Sequence, residues 1–311
     1  MVQRRIIQAV AGLSKAFLAL GCKRVRAHGV ENLLQVLHDP QRIRQGRGVL
    51  TYCNHIAVLD EPLLWGVLPW STFRDTYTTR WSLGASDILF KNALFSHFFR
   101  QGQTLETLRG EGIFQPALDQ AIEKLGETRW VHIFPEGAVN LSHSTMMRRF
   151  KWGISRLVLE APVTPIVLPI WLTGFDQIMP EPRMHPRWVP RLGADISVSF
   201  GKPVPQGTLQ MYADLYTQMK HAHHDDVPVA LPPIAESVPS HHLYPETPAK
   251  LREQDSEEYA TIRSRLAAVL REELAKLGED SRKRQGLGPG EGQLAHRPDM
   301  VGHKYKTDIP T

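Results

Sequence analysis

A histidine and an aspartate five positions apart are the residues of this chain best suited to acid–base chemistry. His55 and Asp60 lie in the stretch TYCNHIAVLDEP, residues 51–62, which continues an apolar run. On a straight helix, side chains five positions apart point about 140° apart, so the pair would not share a helical face. We therefore expect a turn, with His55 at the end of a strand and Asp60 at the entrance of a helix. Pro62 favours this interpretation, because proline suits the first helical position and Asp60 or Glu61 can then act as the cap.

A turn of this kind can fold the carboxylate onto one imidazole nitrogen and leave the other nitrogen as a general base. The spacing alone does not decide the matter, since a histidine and an aspartate on any exposed turn would look the same. Three further blocks bear on it. Arg109 and Gly110 follow a β-like stretch in GQTLETLRG, and Glu136 and Gly137 occupy a tight turn in HIFPEGAVN. The third block, TPIVLPIW at residues 164–171, is an apolar strand bracketed by prolines.

The order and spacing of these four blocks resemble the motif blocks of the glycerophospholipid acyltransferase superfamily. The strings HIFPEG, residues 132–137, and RFKWGI, residues 149–154, are highly specific together. The likeness spans roughly residues 10–205. Within the superfamily the chain is most similar to the branch of mitochondrial phospholipid–lysophospholipid transacylases. The arginine block reads LETL at residues 105–108 and lacks the aromatic residue common in acyl-CoA-dependent relatives, which also favours the transacylase branch.

The resemblance implies a role for each residue of the blocks. His55 would be the general base that takes the proton from a lysophospholipid hydroxyl, and Asp60 would orient the imidazole and stabilise the imidazolium. Arg109 would hold a phosphate oxygen, and the glutamate block would shape the pocket. The implied substrate-binding residues are Arg109, Gly110, Glu136 and Gly137. The resemblance implies no metal and no bound cofactor. The competing interpretations are a surface salt bridge for Arg109 and a simple turn carboxylate for Glu136.

Strand-like runs alternate along the chain with helical patterns, which predicts an α/β fold. We expect one domain with a central mixed sheet flanked by helices, as in the acyltransferases that the blocks resemble. The predicted strands are 48–55, 129–137, 163–172 and 195–204. The predicted helices are 62–68, 88–99, 115–125, 150–160 and 253–277.

The first 30 residues are basic and contain no acidic side chain. Gln8, Ser14 and Lys15 interrupt the apolar run, so it does not make the uninterrupted span of about 20 apolar residues that a transmembrane helix needs. The pattern indicates an amphipathic helix in the membrane interface. A mitochondrial targeting segment and an ordinary helix packed on the domain are the alternatives. The apolar residues at helical spacing that would face the membrane are Ile6, Val10, Leu13, Phe17 and Leu20.

The overall charge favours an anionic partner. The chain of 311 residues carries a formal charge of +5, with a pI of about 9.2. No nucleic-acid-binding module is recognisable, so we expect phospholipid and lysophospholipid substrates and an anionic membrane surface such as cardiolipin. The two cysteines do not indicate a disulfide framework. The HAHHDD run at 221–226 lacks the spacing of a metal site. An oligomer is compatible with the sequence. The phenylalanines of residues 90–99 fit either the core or lipid.

The sequence predicts five segments. These are a membrane-associating segment at 1–28, an acyltransferase domain at 29–221, a loop or insertion at 222–249, a C-terminal amphipathic helix at 250–279 and a disordered tail at 280–311. The expected activity is transfer of a fatty acyl chain from a phospholipid to a lysophospholipid. Monolysocardiolipin, at a mitochondrial membrane facing the intermembrane space, is the expected acceptor. An acyl-CoA-dependent lysophospholipid acyltransferase and a non-catalytic membrane-binding module are the alternatives.

Overall fold

The protein, seen in a computed structural model, is described over residues 2–141, 147–180, 186, 188–225 and 257–287. These residues form one seven-stranded sheet with helices on both faces. The strands are β1 (Cys22–His28), β2 (Val49–Cys53), β3 (Trp81–Ala85), β4 (Thr104–Thr107), β5 (Trp130–Ile133), β6 (Ile166–Thr173) and β7 (Ala194–Phe200). The helices are α1 (Val2–Gly21), α2 (Val30–His38), α3 (Pro40–Arg44), α4 (Asp60–Leu64), α5 (Ser86–Leu89), α6 (Ala93–Gln101), α7 (Pro116–Gly126), α8 (Gly153–Leu159), α9 (Gln206–Asp225) and α10 (Glu257–Arg284).

The sheet is mixed, which confirms the predicted fold class. Its strand order is β1-β7-β6-β2-β5-β3-β4. Strands β2 to β6 run in one direction, and β7 runs antiparallel to β6 while β1 runs parallel to β7. The loops that follow β2, β4 and β5 therefore leave the sheet at the same edge, here called the carboxyl edge. The histidine, arginine and glutamate blocks continue into these three loops, and the apolar block forms β6, which ends at the same edge.

Two hydrophobic clusters cover the two faces of the sheet. Alternate residues of β2 point to opposite faces, and all five of its residues are buried. Leu50 and Tyr52 belong to the cluster formed with α7, α8, α9 and α10. Val49 and Cys53 belong to the cluster formed with α1, α2 and α4. Strand β2 thus lies in the middle of a three-layer core, and the loop that follows it is held from both sides.

Helix α1 packs on the domain through one face. Its buried residues include Ile7, Ala11, Ser14 and Leu18. The contact is close because a Cβ at Gly66 would lie 2.7 Å from Leu18 Cδ1. The buried face lies one position along the helix from the residues predicted to face the membrane. Of those residues, Ile6, Val10 and Phe17 are partly exposed, and Leu13 and Leu20 are 73% and 87% exposed.

Lys15 of α1 points towards the domain. Its ammonium group donates to the carbonyl of Gly66 at 3.0 Å and to the carbonyl of Leu68. Burial lowers the pKa of this amine. A lysine on a partly buried helix can reach backbone carbonyls of a neighbouring turn, and its long stem then packs between the two elements. Lys15 therefore fastens α1 to the domain.

Several boundaries differ from the predicted ones. Residues 22–28, assigned from sequence to the membrane segment, form β1 and pair with β7. Helix α9 continues to Asp225, so His221 to Asp225 are helical and not part of a loop. Helix α10 continues to Arg284, five residues into the predicted tail. Most of the predicted insertion and most of the predicted tail lie outside the described part of the chain, in residues 226–256 and 288–311.

Candidate active site

The loop after β2 holds the predicted histidine in place. Asn54, which is buried, donates its side-chain amide to the carbonyl of Leu172 at 3.0 Å and accepts the Leu172 N–H at 2.8 Å. Both bonds tie the start of the loop to neighbouring β6. The next residue is His55, whose side chain is 18% exposed. The end of a central strand and a two-bond anchor therefore fix the backbone that carries the imidazole.

The structure brings His55 and Asp60 into direct contact. The imidazole Nδ1 lies 2.9 Å from Asp60 Oδ2, and the Asp60 side chain is fully buried. The same oxygen accepts the backbone N–H groups of Ile56 at 2.6 Å and Ala57 at 2.9 Å. The turn expected between the two residues is present. Within the described chain, His55 Nε2 has no hydrogen-bond partner, so an imidazole that donates from Nδ1 leaves Nε2 able to accept a proton.

The capping role expected of Asp60 or Glu61 is wrong. Asp60 is the first residue of α4 and its carboxylate bonds backward, to the loop before the helix. An N-cap would bond forward, to the N–H groups of the first turn. Pro62 is the third helical residue, where its missing N–H is still one of the four that a helix start leaves unpaired. The carboxylate is thus committed to His55 and its loop.

Burial dominates the electrostatics of the two carboxylates. It raises the pKa of Asp60, and the hydrogen bonds from His55, Ala57 and Ile56 oppose the rise. It also raises the pKa of Glu136, against the hydrogen bonds from the N–H groups of His55 and Arg148. Each carboxylate is paired with donors that prefer its charged form.

Glu136 lies behind the histidine. One oxygen accepts the His55 N–H at 3.0 Å and the other accepts the Arg148 N–H at 2.8 Å, while the residue is 1% exposed. The Asn140 N–H donates to the His55 carbonyl at 2.7 Å. The backbone N–H and C=O of His55 are therefore both held by the glutamate block. Gly137 has a φ of 71°, a conformation that favours glycine and lets the chain turn here.

Arg109 and Gly110 are separate from this group. Arg109 has an exposed side chain, 53% accessible, with Nη1 3.3 Å from Asp87 Oδ2. Strands β5 and β3 lie between β2 and β4, so the loops carrying His55 and Arg109 leave the sheet about 14 Å apart. The structure therefore places both at the carboxyl edge without bringing them into contact. A bound molecule of phospholipid size could reach both.

Two supporting residues, Phe134 and Arg271, were missed in the sequence. The ring of Phe134 lies 4.2 Å from the His55 ring at an interplanar angle of 30°. Arg271 of α10 donates to the carbonyls of Met147 at 2.8 Å and Arg148 at 3.3 Å. The Phe134 position could have been inferred from the FPEG string. Nothing in the charged pattern of α10 marks Arg271, because its partners are backbone carbonyls about 120 positions earlier.

A buried polar chain runs beneath the site. Trp130 Nε1 donates to Thr51 Oγ1 at 2.8 Å, and Thr51 Oγ1 lies 2.8 Å from His132 Nδ1. His132 Nε2 lies 3.5 Å from Cys53 Sγ. Burial lowers the pKa of His132 well below its ordinary value and raises that of Cys53. His132 is therefore a neutral core histidine with both ring nitrogens engaged.

The described residues contain neither a metal-type cluster nor a membrane-spanning helix. No group of three or more His, Cys, Asp or Glu side chains there is arranged to hold a metal ion. None of the helices in those ranges combines the length and the apolar character needed to cross a bilayer.

Comparison with known proteins gives consistent matches. Residues 25–173 match the model of the family described as Acyltransferase. A tafazzin of Saccharomyces cerevisiae is 32% identical over an alignment 312 positions long. The alignment includes 88% of this chain and 76% of the yeast protein. A taffazin of Dictyostelium discoideum is 35% identical over 64% of this chain and 68% of its own length. An N-acylphosphatidylethanolamine synthase of Arabidopsis thaliana is 36% identical over 64% of this chain and 69% of its own length.

Proposed function

Since the chain belongs to the acyltransferase family, in its tafazzin-type branch, we propose that it transfers a fatty acyl chain from a phospholipid to a lysophospholipid at a membrane surface. The motif resemblance drawn from the four blocks is thereby confirmed at the level of the family. The observation that carries the proposed chemistry is the His55–Asp60 contact at the carboxyl edge of the sheet. Ligands of open α/β sheets bind at this edge.

In the proposed reaction, His55 Nε2 takes the proton of the lysophospholipid hydroxyl while Asp60 holds Nδ1–H. The hydroxyl oxygen attacks the acyl carbonyl of the donor and forms a tetrahedral intermediate. Its collapse breaks the donor's ester bond, and the imidazolium returns the proton to the departing oxygen. One ester bond is formed and one is broken, so the exchange needs no co-reactant and no covalent acyl-enzyme.

The glutamate block supports the base indirectly in this proposal. Glu136 accepts the backbone N–H of His55 and so holds the loop that carries the base. We also propose Glu136 and Gly137 as substrate-binding residues that shape the pocket. Arg109 and Gly110 would meet the substrate's phosphate, with Arg109 exchanging its Asp87 partner for a phosphate oxygen. We propose Ile6, Val10, Leu13, Phe17 and Leu20 of α1 as a membrane contact, with Leu13 and Leu20 the most exposed.

Monolysocardiolipin is the acceptor that we propose, in a peripheral enzyme of a mitochondrial membrane facing the intermembrane space. The similarity to proteins named tafazzin and the basic first helix support this assignment. We propose the same five segments as in the sequence analysis, with the boundaries moved to the ends of α1 at Gly21, α9 at Asp225 and α10 at Arg284.

Two other donor–acceptor pairs are the alternatives. An acyl-CoA donor would use the same base, because only the leaving group changes. Acylation of the amine of phosphatidylethanolamine is suggested by the match to the plant synthase of that name. Both replace one partner of the reaction and leave the role of His55 unchanged.

A single exchange assay separates the three. The purified protein is incubated with vesicles containing acyl-labelled phosphatidylcholine, monolysocardiolipin and phosphatidylethanolamine, with and without CoA. Label in cardiolipin without CoA supports the proposal. Label in cardiolipin only when CoA is present, so that CoA carries the labelled acyl group, favours the CoA-dependent enzyme. Label in an amide of phosphatidylethanolamine favours the N-acyl product. No transfer to any of them, under conditions in which the protein binds the vesicles, would contradict the proposed activity.

A further inference from the structure

Helix α6 carries its apolar side chains on the outside of the protein. None of its nine residues is buried. Leu94, Phe95 and Phe98 are 74%, 48% and 39% exposed. At 100° per residue these three side chains fall within about 100° of the helix circumference, so they form one surface, here called the α6 apolar face.

The polar side of α6 faces the domain instead. Arg100 Nη2 donates to Glu106 Oε2 of β4 at 2.8 Å, and Ser96 Oγ donates to the carbonyl of Phe90 at 3.3 Å. Phe90 and Phe99 stack on each other, with ring centroids 6.1 Å apart. A helix on the surface of a globular protein normally has the opposite orientation, with the apolar side inward. We therefore expect an apolar partner outside the described fold to cover the α6 apolar face.

The position of α6 indicates what the occupant is. Helix α6 packs against α1, whose Leu13 and Leu20 are also exposed. Strand β1 begins where α1 ends and runs opposite to β6, so the end of α1 lies at the carboxyl edge. Helices α5 and α6 follow β3, which finishes at the same edge. The exposed apolar side chains of two helices thus border the edge that carries His55.

The size and charge of the surface favour a bilayer over a second protein chain. At 150–250 Å² for a large side chain, the exposed parts of the three residues amount to roughly 300 Å². A stable protein interface needs about 800 Å² from each partner. Lys91, two residues before the start of α6, is an exposed cation. Apolar side chains with cations beside them are typical of helices that lie in the interface of an anionic membrane.

We propose that the α6 apolar face inserts into the lipid surface beside α1, so that the carboxyl edge of the sheet faces the acyl chains. Insertion itself is independent of the proposed reaction, and only its consequence for substrate access rests on the proposed function. The proposal assigns a second membrane contact to a helix between β3 and β4, which begins at residue 93.

The first test replaces Leu94, Phe95 and Phe98 by glutamine, which keeps helix propensity. The matched control is Ile43→Gln with Val163→Gln, two residues 44% and 38% exposed near the opposite edge of the sheet. Partition into phosphatidylcholine vesicles containing an anionic lipid is measured at high salt. We expect the triple variant to lose about tenfold or more, corresponding to 1.4 kcal/mol, and the control to bind as wild type does. Equal partition of triple variant and wild type would overturn the proposal.

The second test reads insertion at one position. Phe98→Cys and Ile43→Cys are made in a Cys22→Ser background, in which the remaining Cys53 is buried. Each is labelled with an environment-sensitive fluorophore. Vesicles should shift the emission of the position 98 label to shorter wavelength and leave the position 43 label unchanged. An unshifted label at position 98 on vesicle-bound protein would overturn the proposal.

Two further measurements separate other causes. If the glutamine variant changes sedimentation from dimer to monomer and keeps its vesicle partition, the face is covered by a second copy and the proposal fails. The ratio of acyl exchange on vesicles to exchange on dispersed short-chain lipids should fall in the triple variant and not in the control. A wild-type protein that transfers no acyl group would contradict the proposed function, while partition and fluorescence would still decide the role of α6.

Discussion

Replacing Asp60 by asparagine tests how the carboxylate assists the histidine. Three donors converge on Asp60 Oδ2, from His55 Nδ1 and the N–H groups of Ile56 and Ala57. The two backbone donors require an acceptor at that position, so the amide oxygen of asparagine should occupy it. The amide oxygen can still accept Nδ1–H, and we expect the imidazole to keep the tautomer that leaves Nε2 as the base.

The magnitude then follows from the charge alone. A hydrogen bond to a charged group contributes about 1.5–3 kcal/mol, against about 0.5–1.5 kcal/mol for a neutral one. Losing the charge beside the developing imidazolium should therefore cost about 1–2 kcal/mol in the transition state. That corresponds to a decrease in kcat of about five- to thirtyfold. A triad that loses its tautomer instead loses about 10⁴-fold, as in the serine proteases.

The assay is single-turnover acyl exchange by Asp60→Asn and wild type, with vesicle binding measured alongside. A loss near 10⁴-fold with intact binding would show that the amide had turned its NH₂ group to His55, and the argument from the two backbone donors would be wrong. The stability of the same variant gives a second check. Burial raises the folded pKa of Asp60 above the unfolded value of about 3.9, so its contribution to stability is lost as pH rises through the folded pKa. The asparagine variant lacks this loss, so its unfolding free energy relative to wild type should increase as pH rises above about 4.

Other changes give further expected outcomes. His55→Ala should lower the exchange rate by about a hundred- to ten-thousandfold while the protein stays folded; more than a tenth of the wild-type rate would refute the general base. Arg271→Met should lower kcat about tenfold with little change in KM, because two carbonyl bonds behind Glu136 are lost; exposed Lys276→Met on the same helix is the control. Burial depresses the folded pKa of His132, so wild type should lose up to about 1.4 kcal/mol of stability per pH unit below about pH 6.5, and His132→Gln should not. Arg4→Glu should weaken binding to anionic vesicles about fivefold at low salt, and an unchanged partition would exclude contact at that end of α1.

The central strands could be predicted from sequence because burial on both faces makes them continuous apolar runs. The predicted runs at 48–55, 129–137, 163–172 and 195–204 contain β2, β5, β6 and most of β7. Strand β1 was missed because it is an edge strand, CKRVRAH, with exposed charged residues. Such a strand keeps its place through pairing with β7 and not through burial of its own side chains. The residue pattern of β1 alone does not indicate that it pairs with β7.

The site was predictable where its parts are close in sequence. His55 and Asp60 belong to one loop, so their contact could be inferred from the turn between them. The loop's support comes from distant segments: Leu172 of β6, which bonds to Asn54, Glu136 of the glutamate block and Arg271 of the last described helix. Arg271 acts on main-chain carbonyls, which carry no sequence signature. This is why the function of α10 could not be inferred from its charged, amphipathic pattern.

The distribution of the N-terminal charges decides which force holds the protein on a membrane. Six basic residues precede residue 30, which suggested a strong electrostatic contribution. In the fold, Lys15 binds carbonyls of the domain, and Arg26 lies 2.6 Å and Arg24 3.7 Å from a carboxylate oxygen of Asp195. A basic side chain near an anionic membrane contributes about 1 kcal/mol, and salt screens it over about 8 Å, so only the remaining cations add attraction of this kind. Burial of apolar side chains is not screened by salt. The exposed leucines of α1 and the α6 apolar face should therefore keep the protein on vesicles at salt concentrations that abolish its preference for anionic lipid.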